Sequence, residues 1–167
     1  MNHKLISILH ADLKYGIGKN NGLVFSLPED MKFFRTTTKG HVVAMGENTL
    51  LSFPNSKPLK NRTNIVLSQD ASHNYEGCVN VHSFDDFLLK IKEALENDDV
   101  FIIGGASIYK QTLPYVDEIL LTRVHEIFDA DVFFPDLEKE GSFVLANESE
   151  PIIDNGHKIT FCIYKRK

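Results

Sequence analysis

The chain has 167 residues, of which 43% are hydrophobic and 25% charged, a balance that fits one globular domain with a substantial core. The formal net charge is −5, and basic residues cluster only in the final KRK; nucleic acid is not an expected partner, because binding to a phosphate backbone needs a basic surface. The apolar run near the N-terminus is too short for a signal peptide or a membrane span, so no membrane partner is expected either.

Five short apolar runs, rich in branched residues, alternate with helical patterns along the chain. They are LISIL (5–9), VVAM (42–45), NIVL (64–67), VFII (100–103) and EILLT (118–122). Continuous runs of this length are typical of strands buried on both faces. SFVLANE (142–148) and HKITFCIYK (157–165) alternate more and are separated by Pro151 and a DNG turn at 154–156. They predict an antiparallel pair at the sheet edge.

Helix signals fall between these strands. Ser26 begins one helix, with Pro28 in its first turn and Glu29 as the capping partner. A second helix begins with the capping-box-like pair Ser83 and Asp86. Its apolar stripe is Phe84, Phe87, Leu88, Ile91 and Leu95. Two more helices are expected after the glycines at 46 and 104–105. The alternation predicts an α/β domain with a mostly parallel sheet, whose ligand crevice lies beyond the carboxyl ends of the strands.

Asp30 is an acid on an apolar helix stripe. Leu27, Met31 and Phe34 lie at helical spacing and should face the core, and Asp30 falls on the same face. A carboxylate among apolar neighbours costs free energy unless it is paired or hydrogen-bonded. The pattern fits equally a functional carboxylate and a structural one, either salt-bridged in the core or favoured by the helix dipole.

Two glycine-rich stretches are candidate ligand sites. VFIIGGASIY (100–109) runs from a strand through two glycines into a helix, which lets an anionic ligand such as a pyrophosphate approach the backbone. The spacing is not GxGxxG, and a tight turn that needs glycine explains it equally well. GIGKNNG (16–22) lacks P-loop spacing. Two interpretations fit it, a mobile active-site loop and a plain connector.

Taken together, these segments resemble dihydrofolate reductase of the small bacterial chromosomal type. The resemblance is carried, in order, by GIGKNNGLVFSLPEDMKFF, VVAMGENTLLSF, KPLKNRTNIVLS, VFIIGGASIY, ILLTRV and DADVFFPD. It implies one domain over residues 1–167, with a mixed, mainly parallel eight-stranded sheet flanked by about four helices. It also implies NADPH-dependent reduction of 7,8-dihydrofolate to tetrahydrofolate.

The resemblance assigns substrate-binding and catalytic residues. Asp30 would bind the 2-amino group and N3 of the pterin and support protonation of N5 from a water. Thr122 would share this hydrogen-bond network, and Arg62 would pair with the folate α-carboxylate, which suits a planar guanidinium. The other residues expected at the substrate are Ile8, Leu9, Met31, Phe34, Phe53, Leu59 and Ile103.

The resemblance also places NADPH. The nicotinamide would lie beside Ile17, Ile103 and Tyr109, the last counted with the catalytic residues, and the His10 backbone would meet the carboxamide. Gly104 and Gly105 match a glycine pair joined by a cis peptide. The further residues expected at the cofactor are Gly18, Asn21, Gly22, Leu23, Gly46, Glu47, Asn48, Thr49, Leu67, Ser68, Gln69, Ala106, Ser107 and Ile108.

Several positions depart from the usual pattern of that family. Val24 and Phe25 replace a proline and a tryptophan, and His10 stands where a small residue is usual. Glu47 replaces an arginine that commonly contacts the cofactor phosphates, and Ser107 lacks a positive charge that some members carry. We expect Glu47 to turn outward, to pair with a nearby lysine, or to weaken NADPH binding.

Two other functions fit parts of the pattern. The reductase domain of riboflavin biosynthesis shares this architecture and reduces a ribosylaminopyrimidine, but Asp30 and Arg62 favour folate. A non-catalytic nucleotide- or pterin-binding module is suggested by Glu47, but Asp30 and Thr122 argue against it.

The cysteines and histidines predict the chemical environment. Cys78 and Cys162 lie far apart without CxxC spacing, which predicts free thiols in a reducing, cytoplasmic compartment. The seven histidines are scattered without metal-ligand spacing, so we expect no metal. The resemblance further implies a monomer whose partners are small molecules, namely dihydrofolate and, as a further class, antifolate inhibitors.

Overall fold

The structure is a computed structural model, and it describes residues 3–20, 22–23 and 25–167, without the side chain of Leu23. These residues form twelve strands and five α-helices. The strands are β1 (Leu5–Ala11), β2 (Gly16–Lys19), β3 (Gly22–Leu23), β4 (Val42–Gly46), β5 (Thr63–Leu67), β6 (Cys78–Val81), β7 (Val100–Ile102), β8 (Glu118–Val124), β9 (Val132–Phe133), β10 (Phe143–Glu148), β11 (Ile152–Asp154) and β12 (His157–Arg166). The helices are α1 (Pro28–Thr38), α2 (Glu47–Leu51), α3 (Phe84–Leu95), α4 (Ala106–Thr112) and α5 (Leu137–Glu140).

The main sheet has the strand order β10-β12-β8-β1-β7-β4-β5-β6, and the short β11 adds to β12. The six strands from β8 to β6 pair in parallel, whereas β12 runs antiparallel to both β8 and β10. The predicted single-domain α/β fold with a mixed, mainly parallel eight-stranded sheet is therefore confirmed. All five apolar runs form strands in its centre. The helices number five rather than about four, because the four-residue α5 was not predicted.

The two faces of the sheet are covered by different helices. Along β1, Leu5 packs in a cluster with Phe87 of α3 and Ile108 of α4, whereas Ile8 packs in a cluster with Leu50 of α2. The partly buried Phe34 of α1 joins the second cluster. This two-sided burial explains why the central strands are apolar without alternation.

Local signals located the helices but not every cap. Ser83 caps α3 as predicted, accepting a hydrogen bond from the Asp86 N–H at 3.1 Å. The predicted Ser26 cap is wrong, because α1 begins at Pro28 with Leu27 at the N-cap and no side-chain cap from its own segment. Instead, the Asp154 carboxylate accepts hydrogen bonds from the N–H groups of Glu29 at 3.1 Å and Asp30 at 3.0 Å.

One residue of the predicted α1 core stripe lies at the surface. Met31 is 43% exposed, so the prediction that it faces the core is wrong. Leu27 is buried as expected, while Phe34 is half-buried and Asp30 is buried. The stripe is therefore covered by the core along only part of its length.

The C-terminal strands pair as predicted, with β10 antiparallel to β12 at the sheet edge. The DNG turn, however, joins β11 to β12, and its Asn155 and Gly156 both have positive φ, as a two-residue hairpin turn requires. Cys78 and Cys162 are free, as expected. Within residues 3–20, 22–23 and 25–167, no helix has the length and apolar character needed to cross a membrane.

The cap from Asp154 makes a stability prediction. Asp154→Ala should lower the free energy of unfolding by about 2 kcal/mol, because two N–H groups at the start of α1 lose their acceptor. Urea unfolding measures the change, with the exposed Glu150→Ala as the control. Equal stability of the two variants would contradict the role given to Asp154.

Candidate active site

Asp30 lies in the first turn of α1 and points at the middle of the sheet. The Thr122 hydroxyl donates to its Oδ1 at 2.6 Å, and His10 Nδ1 lies 3.2 Å from its Oδ2. Thr122 and His10 are direct neighbours in the parallel register of β1 and β8. The strand pairing therefore places both hydrogen-bonding groups beneath the same carboxylate.

The backbone of Asp30 is also held from a distant part of the chain, because Asp154 accepts its N–H. Within the described part of the chain, Asp30 is thus neither a bare carboxylate nor one half of a salt bridge to lysine or arginine. Its ion-pair partner among the described residues is His10.

Most of the apolar residues predicted around the substrate lie together. They belong to or pack against the second core cluster and comprise Ile8, Phe34, Phe53, Leu59 and Ile103. Met31 lies on the same helix face with its side chain exposed. Leu9 is an exception, because it packs against the cluster on the opposite face of the sheet.

Arg62 lies beside the C-terminal end of α1. Its Nε donates to the Thr38 hydroxyl at 2.8 Å, and its terminal nitrogens donate to the carbonyls of Arg35 and Lys60. Partial burial, followed by the nearby Arg35 charge, lowers the pKa of the Arg62 guanidinium from its ordinary value. The side chain is therefore anchored by the protein beside the C-terminal end of α1.

The predicted cofactor residues follow the carboxyl ends of three adjacent strands, β7, β4 and β5. Gly46 ends β4, and its N–H donates to the Gly104 carbonyl at 2.9 Å. The Gly104–Gly105 peptide is cis, as expected, and Gly104 has φ 124°. A Cβ at Gly46 would lie 3.0 Å from Ile108, and one at Gly104 would lie 3.3 Å from the Thr49 hydroxyl. Glycine at both positions therefore lets α4 and α2 approach the backbone closely, at the carboxyl ends of the strands.

The remaining predicted cofactor residues surround this edge or the glycine-rich segment. Ala106, Ser107 and Ile108 begin α4, while Asn48 and Thr49 lie in α2, and Leu67, Ser68 and Gln69 end or follow β5. Ile17 and Gly18 lie in β2 and Gly22 in β3. Asn21 and Val24 lie outside the described residues, as does the Leu23 side chain.

Tyr109 connects α4 to β1. Its hydroxyl donates to the Ile8 carbonyl at 2.8 Å in a buried position. Burial, reinforced by the Asp30 charge, raises the pKa of the Tyr109 hydroxyl far above its ordinary value. Tyr109 therefore stays protonated and acts as a fixed donor that ties α4 to β1, the strand that also carries His10.

Glu47 turns toward the connection between β5 and β6. Its Oε2 accepts hydrogen bonds from the Tyr75 hydroxyl and from the Ser68 hydroxyl at 3.0 Å, and it lies 2.7 Å from His73 Nδ1. His73 Nε2 is in turn 3.3 Å from Asp70. The Tyr75 hydrogen bond, with help from Ser68 and His73, holds the pKa of the Glu47 carboxyl below its ordinary value.

These contacts direct the Glu47 side chain into the loop between β5 and β6. No lysine pairs with it among the described residues. The acid is satisfied by two hydroxyls and an imidazole. Its contact with Ser68 engages a hydroxyl that we expected to serve the cofactor.

Sequence reasoning missed the residues that support the site. Asp12 is buried and accepts hydrogen bonds from the N–H groups of Lys14, Gly16 and Phe128, which fixes the start of the glycine-rich segment. The Asp12–Lys14 contact is an Asx-turn, so an aspartate at the end of the first apolar run was an available signal. The contacts of Asp154, His73 and Tyr75 join distant segments, so no local sequence pattern predicts them.

The fold and this edge define an α/β enzyme that holds a nucleotide cofactor at the carboxyl ends of its strands. The sequence model of the family described as "Dihydrofolate reductase" matches residues 4–166. The chain therefore belongs to the dihydrofolate reductase family, whose reaction is the NADPH-dependent reduction of dihydrofolate.

Individual relatives agree with the family match. A dihydrofolate reductase from Bacillus subtilis (strain 168) is 34% identical over 166 residues, covering 98% of this chain and 95% of that protein. A dihydrofolate reductase from Haemophilus influenzae is 37% identical over 133 residues, which cover 80% of this chain and 79% of that protein. A solved structure of dihydrofolate reductase from Enterococcus faecalis, complexed with NADP(H) and RAB-propyl, has a TM-score of 0.84 and 29% sequence identity. The match covers 98% of this chain and 96% of that chain.

The Glu47 network predicts a pH-dependent stability. At neutral pH, Tyr75→Phe should lower the melting temperature by about 2–4 °C, because a charged acceptor loses one donor. The folded-state pKa lies below the ordinary 4.5. The ionised Glu47 carboxylate therefore stabilises the folded protein above pH 4.5, and this contribution is lost as pH falls through the lower folded-state pKa. The difference in melting temperature between the unaltered protein and Tyr75→Phe should therefore shrink below about pH 4.

Thermal melts of the unaltered protein and the variant from neutral to acid pH measure this effect. The exposed Tyr115→Phe is the matched control and should show no such trend. A Tyr75→Phe deficit that stays constant with pH would contradict the charge-linked origin.

Proposed function

We propose that this chain reduces 7,8-dihydrofolate to 5,6,7,8-tetrahydrofolate with Asp30 as the ionisable group that binds the pterin. The observation that carries the proposal is the buried Asp30 carboxylate, hydrogen-bonded to Thr122 and His10 within an apolar pocket. A carboxylate has two oxygens with about four acceptor positions, so each oxygen keeps one position for the pterin 2-amino group and N3.

The rest of the substrate fits the neighbouring surface. The half-buried Phe34, Phe53 and Ile103 offer flat apolar contacts for the pterin and benzoyl rings. Arg62 uses three of its five N–H groups on protein acceptors, one on each nitrogen. One N–H remains on each terminal nitrogen, which is enough to bind the folate α-carboxylate at two points.

The nucleotide side would be held at the strand ends. Gly46 and Gly104 would lie beside the cofactor, and residues 105–108 at the start of α4 would contact the pyrophosphate. Ser68 and Gln69 would lie near the adenosine 2′-phosphate, with Glu47 next to them. Ile17, Ile103 and Tyr109 would border the nicotinamide.

Catalysis rests mainly on positioning in a dry pocket. NADPH, when bound, supplies the hydride that is added to pterin C6, and N5 takes up a proton. Asp30 orients the ring through its 2-amino group and N3, and its negative charge favours the protonated pterin. Thr122 and Tyr109 keep the carboxylate and the Ile8 backbone in place.

The protein's state and partners extend this proposal. We propose a monomer in the reducing cytoplasm with small-molecule partners, namely dihydrofolate, NADPH and antifolates that compete for Asp30. Two free cysteines support a reducing location, and burial raises the pKa of both thiols, which makes them poor nucleophiles.

A turnover assay tests the function and the role of Asp30 together. Purified protein mixed with NADPH and dihydrofolate should lose absorbance at the reduced nicotinamide band. Asp30→Asn should cut turnover near neutral pH at least about a hundredfold while the protein still folds, because the amide cannot supply the charge.

Asp98→Asn is the matched control, because Asp98 also faces a histidine, His41, but at the opposite end of the strands. It should retain full activity. Absence of turnover in the unaltered protein would reject the function, and near-normal activity of Asp30→Asn would reject its assigned role.

A second test concerns cofactor recognition. Glu47→Arg should lower the KM for NADPH severalfold and that for NADH much less, because a like charge near the phosphates is replaced by an attractive one, worth about 1 kcal/mol. The KM of Glu47→Gln for NADPH should lie between that of the unaltered protein and that of Glu47→Arg. An unchanged NADPH-to-NADH ratio would mean that residue 47 points away from the cofactor.

A further inference from the structure

Lysine and arginine are absent from the three segments proposed to hold the adenosine and the phosphates of NADPH. Residues 46–56, 67–89 and 104–109 contain neither residue type. The intervening residues 57–62 hold three basic residues, but they lie toward the end proposed for the folate carboxylate. A phosphate monoester carries about two negative charges at neutral pH. These segments therefore offer a 2′-phosphate no permanent cation.

The same region contains two ionised carboxylates. Glu47 begins α2 and Asp70 follows β5, and His73 lies between them, with Nδ1 2.7 Å from Glu47 and Nε2 3.3 Å from Asp70. Hydrogen bonds hold the pKa of each carboxyl below its ordinary value, chiefly from Tyr75 at Glu47 and from Ser72 at Asp70. The two acids and the imidazole therefore keep a net negative charge in either protonation state of the ring.

The two oxygens of the Glu47 carboxylate differ in their hydrogen bonding. Its contacts with Ser68, His73 and Tyr75 are all made by Oε2. Oε1 has no hydrogen-bond partner among the residues that the structure describes, and it does not belong to the buried polar atoms without a partner. Solvent therefore reaches Oε1, which keeps about two acceptor positions for a ligand.

A ribose hydroxyl and a ribose phosphate make opposite demands on such an oxygen. In nucleotide sites at strand ends, an acidic side chain hydrogen-bonds the ribose 2′-hydroxyl of NADH, whereas a nearby arginine accommodates the 2′-phosphate of NADPH. Glu47 lies next to Ser68, which is proposed to lie near this ribose, and it provides the acidic alternative. Its charge also repels a phosphate, because like charges repel.

We infer that Glu47 is a specificity-determining residue that makes NADH a hydride donor for this enzyme alongside NADPH, an inference that rests on the function proposed above. Glu47 Oε1 accepts a hydrogen bond from the adenosine 2′-hydroxyl of NADH. The reaction keeps its balance with either cofactor, since both carry the same nicotinamide and dihydrofolate still takes up one hydride and one proton. The kcat/KM for NADPH should exceed that for NADH by less than about tenfold.

Binding of adenosine nucleotides tests the ribose contact without any turnover. Calorimetry at constant ionic strength compares 5′-AMP, 2′-deoxy-5′-AMP and adenosine 2′,5′-bisphosphate on the unaltered protein. 5′-AMP should bind about fivefold more tightly than its deoxy form, because the deoxy form leaves Oε1 without a donor. The bisphosphate should bind at most about tenfold more tightly than 5′-AMP. Equal binding of the first two nucleotides, or a larger preference for the bisphosphate, would overturn the inference.

Glu47→Gln removes the charge and keeps the shape of the side chain. The donors at Oε2 need an acceptor, so the single amide oxygen should take that place and leave the NH2 group where Oε1 lay. The difference between 5′-AMP and its deoxy form should then shrink to less than about twofold. The NADPH-to-NADH ratio of kcat/KM should rise severalfold, because repulsion of the phosphate is lost together with the acceptor for the hydroxyl.

Glu76→Gln is the matched control, because Glu76 is an exposed acid in the same loop between β5 and β6. It should change neither the nucleotide affinities nor the cofactor ratio. Equal shifts in the two variants would mean that only the net charge of the loop matters, which would overturn the role given to Glu47.

Steady-state assays of the unaltered protein with dihydrofolate and each cofactor complete the test. Turnover with NADPH and a ratio of kcat/KM above about ten would overturn this inference and leave the proposed function intact. Absence of turnover with both cofactors, while the nucleotides bind as expected, would instead overturn the proposed function. The use of NADH would fall with it, and only the ribose contact would stand.

Discussion

The buried carboxylate of Asp30 is the constraint around which the rest of the site is arranged. An ionised group taken out of water is tolerated only when hydrogen bonds replace its hydration. Here two strands supply those hydrogen bonds, and a third strand holds the backbone of the same residue. β1 and β8 contribute His10 and Thr122 as register neighbours, and β11 contributes Asp154, which holds the helix backbone beneath the same residue. The parallel pairing of β1 with β8 and the antiparallel hairpin of β11 and β12 are therefore requirements of the site as well as features of the fold.

The sheet edge at Gly46 and Gly104 depends on a different physical constraint, which is the absence of side chains at these two positions. Gly46 and Gly104 lie at the ends of adjacent strands, and a Cβ at either position would contact α4 or α2. The same two glycines join their strands through the Gly46 N–H and the Gly104 carbonyl. Tyr109 then ties this edge to β1. A single buried hydroxyl thus connects the cleft where the nucleotide would lie to the pocket where hydride would arrive.

Features encoded over a few residues were predictable, and features that join distant segments were not. The central strands, the Ser83 cap and the position of Asp30 on an apolar stripe follow from periodicity and short motifs. The cap of α1 was assigned to Ser26, the nearest candidate, whereas Asp154 supplies it from more than a hundred residues away. Met31 was placed in the core because periodicity reports the face of a helix and not whether that face meets a core or a cleft. The partners of Glu47 were beyond prediction for the same reason, because His73 and Tyr75 approach it only through the loop between β5 and β6.

Glu47 and Asp30 show how the same kind of group can serve opposite ends of one site. Each carboxylate accepts hydrogen bonds from a hydroxyl and lies within hydrogen-bonding distance of an imidazole. Glu47 has a third partner in the Tyr75 hydroxyl, and His73 also lies beside Asp70. The Glu47 carboxylate is therefore hydrogen-bonded entirely by neighbouring side chains of the loop between β5 and β6. Asp30 accepts from Thr122 on one oxygen and lies beside His10 on the other, which leaves acceptor capacity on both oxygens. The first arrangement saturates one carboxylate oxygen with local donors, whereas the second leaves a buried acid with unused acceptor positions. The hydrogen-bonding capacity of Glu47 is thus directed into the loop between β5 and β6, which keeps this acid compatible with the proposed cofactor site.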